Sequence, residues 1–149
     1  MPVVTLTPQR RGPLTVHVAD AFVTLGVDCF VTDRAGGVSA APYDTLNLAD
    51  HAGDDPACVT ENRRRVADAA GVEPERLITA RQVHGGEVAV VDEPAEVRSA
   101  DGLVTYDPTV ALAVLVADCV PVTSPLSEPL KLVELLAEPT TVPLNVPLN

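Results

Sequence analysis

The chain has 149 residues and a formal net charge of −11 at neutral pH. That length makes one ordinary domain with room for a real core, and 46% apolar residues exclude disorder throughout. The acidic balance, the lack of tryptophan and 3% aromatic residues argue against a nucleic-acid partner and an anionic membrane surface.

The one basic cluster, Arg63-Arg64-Arg65, lies beside Glu61 and Asp68 in a helical stretch and reads as a solvated helix face. The cysteines, Cys29, Cys58 and Cys119, are odd in number and irregularly spaced, unlike a disulfide framework. The first residues, MPVVTLTPQRRGPL, hold no apolar signal region, and the longest apolar stretch, Val110 to Ala117, is too short for a membrane span. The expectation is a cytoplasmic chain with reduced thiols and no membrane partner.

In chain order, Leu14 to Val18 and Phe22 to Val31 read as strands, the second interrupted at Gly26. The stretch TDRAGGVSAAPYDTLNLADHAGDDP then forms a long polar loop. A loop of that length inside a compact domain usually has a task. Asp55 as cap and Pro56 at the first helical position open a helix, Val59, Val66 and Ala69 or Ala70 share a face, and Gly71 stops it. Residues 77 to 84, LITARQVH, alternate like a strand. Gly85-Gly86 then turns the chain into a partner strand, Glu87 to Val91. Gly102 to Thr105 is a further short strand, and Val110 to Ala117 suits a strand buried on both faces.

Beyond Val122 the composition changes. Residues 123–149 hold five of the fourteen prolines, seven leucines and the only lysine, with no glycine or arginine. Leu126 to Ala137 fits a short amphipathic helix with Pro129 in its first turn. The end, VPLNVPLN, is a four-residue repeat of low-complexity character. The division is therefore 1–122 and a divergent Leu/Pro-rich tail, 123–149.

His84 and Cys119 each close a predicted buried strand and offer one imidazole and one thiolate, donors suited to zinc or copper. The plainer readings are a hydrogen-bonded structural histidine and a small buried hydrophobe. Cys58, third in its helix, is placed where thiolate is favoured, although a plain helix residue is the simpler reading.

TDRAGGVS, YDTLNLADHAGDDP, VTENRRRVADAAGV, RQVHGGEV, SADGLVT and VLVADCVPV occur in this order. Together, from about Phe30 to Val122, they resemble the laccase-domain family, the YfiH-like multicopper polyphenol oxidoreductases later recognised as purine nucleoside enzymes. The resemblance implies an α/β sandwich with mixed β-sheets and flanking helices, incomplete here at its C-terminal end. It implies phosphorolysis of adenosine, inosine and methylthioadenosine, adenosine deamination, and the older polyphenol oxidase activity. Purine nucleoside and phosphate would be its small-molecule partners.

The resemblance also implies a metal, usually assigned as zinc, held by the His of QVHG, the Cys of ADC and a second His. Here the first two are His84 and Cys119. The family's second His lies in a His-Ala-Gly-Trp-Arg-Gly motif that does not occur in this chain, which has no histidine after His84. Such an ion would activate water for attack on the purine ring, whereas phosphorolysis needs cations and donors to hold phosphate against the ribose carbon. Arg34, flanked by TDRAGG, is the candidate anion holder, with a plain surface arginine as the alternative. Asn47 and His51 are candidate polar groups of the pocket, with Asx-type loop bonding as their alternative.

Three readings stay open: a family enzyme on purine nucleosides, an inactive fragment of such an enzyme made by truncation or frameshift, and a nucleoside-binding module without turnover. Loss of the family's C-terminal elements would leave a sheet edge uncovered and favour self-association.

Overall fold

The computed structural model describes residues 5–91, 93, 99–116 and the strand backbone of 131–136. Its centre is a six-stranded mixed sheet. Strands β1 (Leu6–Arg11) and β2 (Leu14–Ala19) form a hairpin around Gly12-Pro13, with Arg11 opposite Leu14. Gly12 takes φ 56° at the first central position, which suits a tight two-residue turn. β1 is an edge strand, and this is why Pro8 is tolerated within it.

A short helix, α1 (Asp20–Val23), and a turn at Gly26 (φ 72°) precede β3 (Phe30–Thr32). The strand expected over Phe22–Val31 is thus mostly helix and turn. Phe22, Val27 and Cys29 instead bury together with Ala19 as a small satellite core.

Helix α2 (Pro56–Ala70) begins and ends where the sequence places it. The Asp55 side chain accepts from Ala57 N–H, Pro56 occupies the first turn, and Gly71 caps the end at φ 70°. Its buried face, Val59, Asn62, Val66, Ala67 and Ala70, carries one polar residue that the apolar spacing did not pick out. Val66 and Ala70 pack with Leu14, Val16, Phe30, Leu46, Leu48, Ala111 and Ala113 to form the main core.

A 3₁₀ turn (Pro74–Arg76) leads into β4 (Leu77–Thr79). β5 (Val88–Val90) and β6 (Gly102–Val104) form a separate two-stranded parallel sheet. The hairpin expected around Gly85-Gly86 is therefore absent. β4 pairs in parallel with β7 (Ala111–Val116), and β5 pairs with β6. Long-range partners override the local turn signal of the two glycines.

β8 (Lys131–Leu136) lies between β3 and β7, parallel to both. Within the predicted tail helix Leu126–Ala137, these six residues form a strand instead. The sheet order is β1-β2-β3-β8-β7-β4. The four strands β3, β8, β7 and β4 run the same way, so their C-terminal ends open on one rim.

The edge hairpin is tied to the helix by Arg11. Its guanidinium grips Asp28 bidentately at 2.7 and 2.8 Å, donates to the Ala69 carbonyl at 3.0 Å and stacks 4.6 Å from the Phe30 ring centroid.

Candidate functional site

In open α/β sheets, ligands bind outside the carboxyl ends of parallel strands. Here the long loop 33–55 follows β3, and the QVHGG segment follows β4. β4 and β7 are hydrogen-bonded neighbours with Thr79 opposite Ala113. His84 comes five residues after Thr79, and Cys119 comes six after Ala113 in the sequence. Cys119 itself lies outside the described residues, as does its expected convergence with His84.

His84 is exposed and takes φ 57°, the single non-glycine residue with positive φ among the described residues. It sits in irregular chain beyond β4, not in a strand reaching to residue 84. Its imidazole makes no hydrogen bond among the described residues. Beneath the segment lies Asp101, whose Oδ1 accepts from Val83 N–H and Oδ2 from Gly85 N–H, both at 2.9 Å. Desolvation pushes the Asp101 carboxyl up, but the N–H groups of Gly85, Val83 and His84, with the His84 charge, outweigh it and hold the carboxyl below the usual range.

The long loop is ordered by α2. Asn62, fully buried, donates to Ser39 Oγ at 2.9 Å, to the Asn47 carbonyl at 2.8 Å and to the Thr45 carbonyl at 3.2 Å, and accepts from Val38 N–H at 2.9 Å. Arg63 donates to the Leu48 carbonyl at 2.8 Å, and Arg65 to the Gly36 carbonyl at 2.7 Å. The basic cluster expected as a solvated face is therefore divided. Arg64 pairs on the surface with Glu61 and Asp68, while its two neighbours clamp the loop.

Arg34 is exposed, and its Nε donates to the Asp44 carbonyl at 2.7 Å. Its main-chain carbonyl accepts from Thr45 and Leu46 N–H at 2.8 and 2.9 Å. Its terminal guanidinium nitrogens make no hydrogen bond among the described residues.

Asn47 is buried and committed to the loop. It accepts from Ala49 N–H at 3.0 Å and donates to Asp54 Oδ2 at 3.1 Å, so the Asx-type reading describes its contacts. His51 is on the outside, its side chain 79% exposed and its Nδ1 3.4 Å from Asp50. Cys58 is no thiolate site: desolvation, then Asp55 and Asp54, push its thiol up.

Among the described residues no three His, Cys, Asp or Glu side chains converge to hold a metal. Sequence reasoning also passed over Asp101 and Asn62. For Asn62 the signal was a polar residue at i+3 from Val59 and i−4 from Val66, on the apolar face. Asp101 had no local signal, because its partners Val83 and Gly85 lie 18 and 16 residues earlier.

Residues 28–126 match the family model described as multi-copper polyphenol oxidoreductase laccase. The chain belongs to that family. Its laccase-type relatives include a purine nucleoside phosphorylase of Mycobacterium tuberculosis (strain ATCC 25618 / H37Rv), 52% identical over 113 residues, which are 72% of this chain and 45% of the relative. A purine nucleoside phosphorylase of Streptomyces griseus is 52% identical over 121 residues, covering 78% and 46%. Among solved structures, the Bacillus licheniformis hypothetical protein YfiH matches with a TM-score of 0.66 at 25% identity, covering 75% of this chain and 45% of that one. YlmD from Geobacillus stearothermophilus matches at 0.58 and 28%, covering 79% and 46%. The chain spans about half the length of the curated relatives it matches. The mixed α/β architecture is shared with these structural neighbours, and the curated relatives named here are purine nucleoside phosphorylases. No helix among the described residues is long and apolar enough to cross a membrane.

Proposed function

We propose that this chain carries the nucleoside- and phosphate-facing rim of a cytoplasmic purine nucleoside phosphorylase, together with two donors of its metal site, His84 and Cys119. The observation that supports this most is the rim itself. Parallel neighbours β4 and β7 end at one rim, and in the sequence His84 follows Thr79 of β4 by five residues while Cys119 follows Ala113 of β7 by six. Arg34 follows β3 on the same edge.

In phosphorolysis a phosphate oxygen bonds to the ribose C1′ as the N-glycosidic bond breaks, and the purine leaves with the bonding electron pair. The chain's part is to hold the dianion against that carbon. The free guanidinium nitrogens of Arg34 suit this, since its Nε is already anchored on Asp44 and little freedom is left to lose. Adenosine, inosine and methylthioadenosine are the substrates the reading covers, with adenosine deamination as a second reaction of the same site.

The residues present fit a metal in part. The exposed imidazole of His84 suits zinc, or copper, and so would the thiol of Cys119, three residues past β7 in the sequence, but a catalytic zinc needs three protein donors. Bound there, the ion would supply Lewis acidity at the substrate. One observation favours a second reading, a nucleoside-binding module without turnover: no third donor joins His84 among the described residues.

The test is calorimetric titration of the purified chain with adenosine and, separately, inorganic phosphate. Adenosine binding that survives Arg34→Ala while phosphate binding is lost supports the assignment. Absence of any adenosine binding, or phosphate binding indifferent to Arg34→Ala, overturns it.

A further inference from the structure

The peptide link between Asp44 and Thr45 turns both of its polar groups to one residue. Its carbonyl accepts from Arg34 Nε at 2.7 Å, and its N–H donates to the Arg34 carbonyl at 2.8 Å. Leu46 N–H donates to the same Arg34 carbonyl at 2.9 Å. Three consecutive residues on the return limb of the loop thus fix both the main chain and the side chain of Arg34.

Thr45 ties that strap to its surroundings. Its Oγ1 accepts from Gly37 N–H at 3.0 Å and donates to the Arg34 carbonyl over a long 3.4 Å. Its main-chain carbonyl accepts from Ser39 N–H at 2.9 Å and from the buried Asn62 side chain at 3.2 Å. The next residue, Leu46, is buried in the main core. Thr45 is half-buried and spans the turn 33–37, with Arg34 on one side and Gly37 and Ser39 on the other. Its hydroxyl is the one side-chain group that closes this turn from the strap.

The geometry has a consequence for anion binding. An arginine side chain has large rotamer freedom, and freezing it on binding costs affinity. In Arg34 the Nε already has its partner, while the terminal nitrogens are exposed and make no hydrogen bond among the described residues. A guanidinium held by Nε presents those two nitrogens as a planar fork, the shape that takes two phosphate oxygens at once.

We propose that Thr45 is a positioning residue of the phosphate site, which holds the strap 44–46 against the turn so that Arg34 is oriented before phosphate arrives. This rests on the reading of Arg34 as the phosphate holder and on no metal. Thr45 does not touch phosphate in this role. It acts through the bonds that its hydroxyl and its peptide link make to the turn.

The experiment titrates the full chain and its variants Arg34→Ala, Thr45→Val and Thr45→Ser with inorganic phosphate and, separately, with adenosine. NMR relaxation of the Arg34 Nε–H group is recorded before phosphate is added. Thr45→Val keeps the branched shape without the hydroxyl, and Thr45→Ser keeps the hydroxyl. The expected result is roughly fivefold weaker phosphate binding in Thr45→Val, the size of one lost hydrogen bond, with the loss confined to phosphate. Thr45→Ser should bind phosphate nearly as the parent does. The Arg34 Nε–H should be rigid in the phosphate-free parent and mobile in Thr45→Val. If Arg34→Ala abolishes phosphate binding while Thr45→Val leaves it intact, or weakens phosphate and adenosine alike, the positioning role is overturned and the reading of Arg34 stands. An Arg34 Nε–H that is already mobile in the phosphate-free parent overturns the role as well, whether or not the variants fold. If phosphate affinity is indifferent to Arg34→Ala, the reading of Arg34 falls and the positioning role with it.

Discussion

Asn62, on the buried face of α2, donates to Ser39 Oγ at 2.9 Å, and the Ser39 hydroxyl in turn donates to Asp54 Oδ2 at 2.6 Å. This relay, with the Asn62 bonds to Val38, Thr45 and Asn47, fastens a long polar loop that has little apolar surface of its own to bury. Asn62→Ala leaves interior main-chain groups unpaired and should cost about 3 kcal/mol, read as a fall in the urea midpoint at constant m. Asn62→Asp should be worse, because it sets a carboxylate against the Thr45 and Asn47 carbonyl oxygens.

Glu61 couples the surface to the same loop. The hydrogen bonds and charges of Arg64 and Arg65 lower its carboxyl from 4.5 to about 2. A depressed folded-state pKa contributes stability above the unfolded value and loses it as pH falls through the folded value. That contribution should be complete above pH 4.5 and fade toward pH 2. Arg65, whose Nη1 holds the Gly36 carbonyl, is freed from Glu61 over the same range. Thermal melts of Glu61→Gln across this window should show a shallower pH dependence than the parent. Parallel curves would remove Glu61 from the account.

The two glycines of TDRAGG are required by space. At Gly37 an added Cβ would overlap the Thr45 carbonyl oxygen and lie 2.5 Å from Leu46 Cα, so backbone must move. Gly37→Ala should cost more than about 3 kcal/mol, a size seen only where packing is broken. Gly26→Ala makes a useful contrast. Gly26 has φ 72° but nothing within 4 Å, so only backbone strain of about 1 kcal/mol is expected there. Chemical denaturation of the two variants side by side checks the difference.

Elements whose ends carry their own chemistry were legible in the sequence. α2 is bounded by Asp55, Pro56 and Gly71, and β7 by a continuous apolar run, and both lie where they were expected. Elements decided by distant partners were not. β1 reads LTPQRR, has almost no apolar alternation and exists by pairing with β2. α1 hides inside a run that also suits a strand, and β8 is a strand because β3 and β7 flank it. The candidate site divides the same way. His84 and Arg34 could be named from their motifs. Asp101 acquires its role only when the chain folds back on residues 83–85, and Asn62 only when the loop closes over the helix.

The central proposal is that this chain supplies two metal donors of a purine nucleoside site, His84 and Cys119, and no third donor joins His84 among the described residues. It is tested most directly by purifying the 149-residue chain, measuring bound zinc, and assaying adenosine with and without phosphate. With two protein donors the ion stays largely hydrated and its geometry unfixed. The account predicts well under one zinc per chain and little or no release of adenine or formation of inosine. One tightly held zinc per chain together with clear, phosphate-dependent release of adenine would contradict it.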